Sequence, residues 1–284
     1  MRLGSLVLMA VVLFAGYWEP HPLLSLALPA VAVAVWMPVI RARRVEQWLL
    51  FYVAGIYLYT VLRALADQLG FPIQFRYVID AERLLFRGSI PSTVLQRDLF
   101  SPRDIGWLDV GATALHASFF VVPHAAAVYI WLRRPRALAA YTTSVLLTLY
   151  VGLALFILLP TVPPWVAAQQ GHIFRTYRVL DFVVRGVDVD AYRTLYRTLA
   201  EPNSVASVPS IHMAITCVVL LRSRDFARRW FWPLGAYTLL MALALVYLGE
   251  HYVFDVLVGI AVAVAVEVVV VRGVRRRREL AVKA

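Results

Sequence analysis

Apolar residues along this chain gather into eight runs, at about 3–18, 22–40, 47–66, 110–132, 138–160, 205–222, 231–249 and 252–271. Most approach the roughly 20 apolar residues that carry a helix across a bilayer. The runs are continuous and do not alternate at every second position, which predicts helices and not barrel strands. A lipid-exposed backbone must also satisfy its own hydrogen bonds within the segment. The predicted fold is all-α: a polytopic transmembrane helix bundle of about eight spans. The first run follows Met1-Arg2 and is short enough to read as a signal peptide as well. Glu19-Pro20-His21-Pro22 then makes a tight turn into the second run, so the later topology is the same either way. No repeat or linker divides the chain, so 1–284 is read as a single membrane domain.

Charge sets the orientation. The net charge is +11, and Lys283 is the single lysine among 28 basic residues. A basic chain raises the question of nucleic acid, but these charges sit in short loops between spans. With the spans alternating from an inner N-terminus, the inner segments hold 17 basic residues against 3 acids, and the outer segments 11 against 13. That bias is the positive-inside signature. Both termini are expected in the cytoplasm, with the loops 67–109 and 161–204 and the turn Gly249-Glu250-His251 outside. The partners expected are membrane lipids and no nucleic acid. Arg275 to Arg278 read as a stop-transfer anchor against anionic inner-leaflet lipid. Cys217 is the one cysteine, which excludes an intrachain disulfide or a thiolate metal cluster.

Both outer loops exceed the length of ordinary connections, and their composition is not that of disorder. Phe71, Phe75, Tyr77, Leu84, Leu85, Phe86 and Trp107 lie in the first, and the amphipathic stretch from Val187 to Tyr196 lies in the second. Both predict short interfacial helices, with Trp165 after Pro163-Pro164 as an interfacial aromatic anchor.

Two segments carry candidate chemistry, Ser207-Val208-Pro209-Ser210-Ile211-His212 and Gly249-Glu250-His251-Tyr252-Val253-Phe254-Asp255. Each opens a span on the outer side. Positions i and i+4 of a helix share a face, so Asp255 can hold one ring nitrogen of His251. That fixes the tautomer and leaves the other nitrogen a basic lone pair, as a nucleophilic imidazole requires. A carboxylate about one turn into the membrane is expensive without such a partner. His212 on the same side can protonate a leaving oxygen and later deprotonate an acceptor. Ser210 and the first amides of its helix can donate to a phosphoryl oxygen.

Pro209-Ser210-Ile211-His212 followed by His251-Tyr252-Val253-Phe254-Asp255 resembles the type 2 phosphatidic acid phosphatase superfamily. Leu159-Pro160-Thr161-Val162-Pro163-Pro164-Trp165 resembles the branch with fungal inositol phosphorylceramide synthase and its bacterial relatives. The stretch from Asp80 through Leu85-Phe86-Arg87-Gly88 to Pro91 is similar to bacterial members of that branch. The resemblance covers about 45–271 and implies a six-helix catalytic core there, with 1–44 as accessory spans and 272–284 as a basic cytoplasmic tail. It further implies a phosphohistidine intermediate on His251 oriented by Asp255, with His212 as acid and base, and neither metal nor cofactor. The implied activity is a lipid phosphatase or phosphotransferase on the extracytoplasmic face of the cell membrane. Its substrate would be a phospholipid or lipid phosphate, and it could pass an inositol-phosphate-type headgroup to a lipid hydroxyl. The alternatives are a plain phosphatidate or isoprenoid-diphosphate phosphatase and, in another class, a non-enzymatic lipid transporter or scaffold that keeps the fold.

This chain departs from the superfamily pattern in its basic residues. Leu245 stands where an arginine six residues before the second histidine is expected. Arg134-Pro135 lacks its lysine, since Ala127 is there, and lies on the inner side. A transferred phosphoryl group still needs cationic donors. Arg63, with Asp67 one turn on as its partner, is the first candidate. Arg83 and Arg87 follow, then Arg175 and Arg178. His116 and His124 are read either as buried polar packing or as cavity lining, His21 and His172 as loop residues, and Glu267 as an inter-helix contact.

Overall fold

The structure, a computed structural model, describes residues 44–66, 70–186 and 206–283. The expected spans at 3–18 and 22–40, the turn containing His21, Asp67 and the amphipathic stretch 187–196 lie outside the described residues. The described chain folds into helices α1 (Arg44–Ala66), α2 (Arg76–Leu85), α3 (Pro91–Leu99), α4 (Trp107–Ser118), α5 (Val122–Arg133), α6 (Pro135–Leu158), α7 (Pro164–Gln169), α8 (Val179–Gly186), α9 (Ile211–Phe226), α10 (Phe231–Tyr247) and α11 (Val253–Lys283). Among the described residues, four segments are long and apolar enough to cross a membrane: Val45–Arg63, Pro135–Leu158, Arg228–Tyr247 and Val253–Gly273. The bent pair α4–α5 makes a fifth if counted as one.

Two expected spans change on inspection. The run 110–132 is broken, because α4 and α5 meet at 42° across residues 119–121. Pro123 is the second residue of α5, a position where its missing N–H costs nothing and its fixed φ favours a new helix start. The run 205–222 yields α9, only 16 residues long, starting at Ile211. It can be short because it is the bundle's core, packing against α5, α6, α10 and α11. Every residue from Met213 to Val219 is buried, as expected of a helix enclosed on all sides.

The far end of α9 is held by charge. Arg222 Nε donates to Glu267 Oε1 of α11 at 3.0 Å and to Ser144 Oγ of α6 at 3.1 Å, and its Nη1 meets Asp225 at 2.9 Å. Glu267 is thus an inter-helix contact joining three core helices. Removing one partner of a buried pair strands the other, at about 3–5 kcal/mol. Glu267→Ala should therefore lower the melting temperature of detergent-purified protein, and Glu267→Gln should lower it less. An unchanged melting temperature in Glu267→Ala would show that the pair contributes little.

The opposite end of the bundle carries the short helices. α2 packs on α11, α3 on α10, and α8 on α4. Loop segments knit them together: Gln74 N–H donates to Pro160 O at 2.7 Å and Ser207 N–H to Thr161 O at 3.0 Å. Gln96 of α3 is a buried polar clip. Its amide donates to Tyr177 O and Tyr247 O and accepts from Tyr177 N–H.

Candidate active site

The starts of α9 and α11 lie side by side at this end. Ser210 N–H donates to Asp255 O at 3.1 Å. A Cβ on Gly259 would come within 2.5 Å of Ser210 O, so only glycine permits the approach. Ser210 is fully buried as the N-cap of α9, its hydroxyl accepting from Met213 N–H at 3.3 Å. The sequence reading aimed this hydroxyl at a phosphoryl oxygen. It is absent from the cavity lining, the residue being fully buried with its hydroxyl turned to the amide of its own helix start.

His212 and His251 meet. His212 Nδ1 is 3.4 Å from His251 Nε2, and His251 Nδ1 is 3.3 Å from Asp255 Oδ2. The expected i,i+4 pairing is present although α11 begins only at Val253. With Nδ1–H donated to the carboxylate, His251 keeps its Nε2 lone pair facing His212. Asp255 Oδ2 also accepts Ser207 Oγ–H at 2.5 Å and Tyr252 N–H at 3.0 Å. Ser207 was part of the motif, but its role was not anticipated.

The turn before His251 depends on Gly249, whose φ of +76° favours glycine and where a Cβ would meet Tyr177 O at 2.5 Å. The two amides opening α11, those of Val253 and Phe254, donate to Glu82 Oε1 and Oε2 at 3.0 and 3.1 Å. Glu82 comes from α2 and is fully buried. Burial raises its carboxyl above the ordinary range, and the two amides offset part of that rise. A carboxylate suits a helix N-terminus, and this one steadies the turn that carries Asp255.

A cavity of about 490 Å³ opens beside the histidine pair. Arg63 lines it from α1 and Arg178 from the segment before α8. Arg178 Nε donates to Glu250 Oε1 at 2.7 Å, and its guanidinium lies 5.0 Å over the Trp165 ring. Burial would raise the Glu250 carboxyl, but the Arg178 charge and hydrogen bond, together with the neighbouring His116 and His251, outweigh it and hold the group below its ordinary range. Trp165 is therefore a platform for Arg178 at the cavity, and its backbone N–H donates to Gly249 O at 3.3 Å. Arg83 and Arg87 are not in the cavity. α2 turns Val78, Ile79 and Glu82 inward, which leaves Arg83 exposed on its outer side, and Arg87 is exposed in the turn that follows.

His116 and His124 both line the cavity. His116 lies beside His212 with ring centroids 4.7 Å apart, and Phe119 is 4.5 Å away on the same ring. Phe119 belongs to the α4–α5 break, so that break supplies part of the box around His212. His124 Nδ1 pairs with Tyr52 Oη at 2.9 Å, and His172, after α7, stacks on Phe75, just before α2. Among the described residues, no three His, Cys, Asp or Glu side chains converge to hold a metal.

These features define a class: a membrane-embedded helical bundle whose core helix starts gather two histidines, a carboxylate and two arginines at one cavity. The family model of the PAP2 superfamily matches residues 103–269. The match spans more than half of the chain, and the chain belongs to that superfamily. Membership supports a phosphatase-type function with lipid phosphates as the substrate class. No curated protein and no solved structure matches the chain.

Proposed function

We propose that the protein is a lipid phosphatase or phosphotransferase that works through a phosphohistidine on His251, on the extracytoplasmic face. The observation that carries this reading is the line Asp255 Oδ2–His251 Nδ1, His251 Nε2–His212 Nδ1 at 3.3 and 3.4 Å. Such a line gives one imidazole a free lone pair and puts a proton donor next to it. The location on the outer face rests on the charge bias of the loops.

In the first step the His251 Nε2 lone pair attacks phosphorus and an N–P bond forms. The P–O bond to the lipid breaks, and His212 gives its Nδ1 proton to the departing oxygen, which leaves as an alcohol. In the second step His212 takes a proton from water, whose oxygen attacks phosphorus as the N–P bond breaks. Phosphate is released and both rings return to their starting states. With a lipid hydroxyl in place of water, the product is a new phosphate ester. An in-line phosphoryl group needs the two nitrogens farther apart than 3.4 Å. The two rings must therefore separate when substrate binds between them. Arg63 and Arg178 supply the charge on the phosphoryl oxygens, and Arg178 is held for that by Glu250 and Trp165.

Transfer of an inositol-phosphate-type headgroup is the finer form of this reading. It is favoured by the Pro163-Pro164-Trp165 exit, which is built into the site through Trp165 and Gly249. A transporter or scaffold would have no use for a histidine pair in contact beside two arginines.

Purified protein in detergent should release phosphate from lipid phosphates, and orthovanadate should inhibit it as a five-coordinate mimic. Arg178→Ala should reduce kcat/KM by about 10²–10³-fold, the usual effect of losing one preorganised donor to a developing charge. Mass spectrometry with and without an added lipid alcohol separates hydrolysis from transfer. Absence of turnover on phosphatidate, prenyl phosphates and phosphatidylinositol alike would end the enzymatic reading.

A further inference from the structure

Past the histidine pair the cavity runs on along α1. Tyr52, Ile56, Tyr59 and Arg63 line it at i, i+4, i+7 and i+11, one face of the helix. From Arg63 to Tyr52 the helix rises about 16 Å. Val145 and Leu149 of α6 and Ile215 of α9 also line it. One end therefore carries Arg63, Arg178, His212 and His251, and the rest is a mainly apolar arm that also holds Thr60 and, at its far end, the Tyr52–His124 pair.

One polar atom in that arm stands out. Tyr59 is 6% exposed, and its Oη has no hydrogen-bond partner among the described residues. Buried tyrosine hydroxyls ordinarily find a partner, and a buried donor left unsatisfied is destabilising. The hydroxyl sits on a cavity-lining residue one helical turn from Arg63, about 6 Å along the axis.

Resting on the phosphohistidine reading above, we propose that the arm seats one apolar chain of the lipid and that Tyr59 is a specificity-determining residue. Its hydroxyl donates a hydrogen bond to an oxygen lying between the phosphorus and the chain. With the phosphate on Arg63, an atom about one helical turn further along the lipid comes level with Tyr59. In an acylglycerol phosphate the ester carbonyl oxygen lies in that region. In a prenyl phosphate the same region is hydrocarbon, and the hydroxyl stays unsatisfied. Tyr59 thus selects for lipids carrying an ester carbonyl oxygen near the phosphate, and the apolar arm accounts for the chain.

The test compares kcat/KM for an acylglycerol phosphate, its ether analogue lacking the carbonyl, and farnesyl phosphate, in wild type and Tyr59→Phe. The wild type should prefer the ester over the ether by about 3–10-fold, the value of one neutral hydrogen bond. Tyr59→Phe should bring that ratio close to 1. The ratio cancels any general effect of the substitution. An ester-to-ether ratio unchanged by Tyr59→Phe would overturn the assignment. For the arm, Leu149→Trp should lower the ratio of long-chain lipid phosphate to p-nitrophenyl phosphate turnover, and an unchanged ratio would place the chain elsewhere. A binding arm separates this proposal from the function on which it rests. In His251→Ala protein, thermal stabilisation by the ester lipid should exceed that by the ether analogue, and adding Tyr59→Phe should erase the difference. If turnover fails on every substrate but this difference is present, the catalytic reading falls and the Tyr59 contact stands. If turnover is present and the difference is not, the reverse holds.

Discussion

His251→Ala should abolish turnover, by on the order of 10⁴-fold or more, because the variant loses the atom that forms the covalent bond to phosphorus. Nothing nearby can replace it. His212 is the only other imidazole within hydrogen-bond reach of that position among the described residues, and Asp255 is not aligned to orient it. The lost step is the first one, so no phosphoenzyme should form either. Phosphohistidine survives alkali and is lost in acid. An alkaline quench of wild type with labelled lipid phosphate should therefore trap label on the protein, and acid should release it. His251→Ala should trap none. Label trapped in that variant, or turnover near the wild-type rate, would move the nucleophile elsewhere. Loss of turnover with the label still trapped would instead assign His251 to the second half of the reaction.

Much of the fold was legible because hydropathy reports directly on which helices must be buried or lipid-facing. α1, α6, α10 and α11 fall on their apolar runs. The α4–α5 break was not legible, since residues on both sides of it are apolar and a window average does not register a 42° change of direction. In the site, His212, His251 and Asp255 were legible from local order. The supporting residues were not, because their roles depend on contacts distant in sequence. Arg178 was ranked last among the arginines, and what sets it apart is Glu250, 72 residues away. Glu82 caps a helix start 171 residues on. Ser210 shows the opposite failure: it stands in the motif, but it is fully buried against Met213 N–H and does not line the cavity. A rule that discounts a serine immediately before a helix as an N-cap would have found Ser207 in its place.

Asp255→Asn should cut kcat by about 10³–10⁴-fold with little change in KM, by analogy with the effect of the same change on other histidine–aspartate pairs. Three donors converge on Asp255 Oδ2, from Ser207, Tyr252 and His251. A carboxylate oxygen accepts them with its charge. An amide oxygen has two lone pairs and no charge, so one donor is displaced. Ser207 and the Tyr252 amide are the closer two, at 2.5 and 3.0 Å, against 3.3 Å for His251. The imidazole is then the partner that is lost. If the new amide turns its NH₂ toward Nδ1, the ring must carry its proton on Nε2, and the lone pair no longer faces phosphorus. The fold should respond in the other direction. Asp255 is fully buried, and a neutral amide costs less to bury in a membrane bundle than a carboxylate. Its melting temperature in detergent should therefore equal or exceed that of the wild type while turnover collapses. That divergence marks a group kept for chemistry at the expense of stability. If activity and melting temperature fell together, Asp255 would be a structural pin for the start of α11, and the orientation of His251 would have to come from another group.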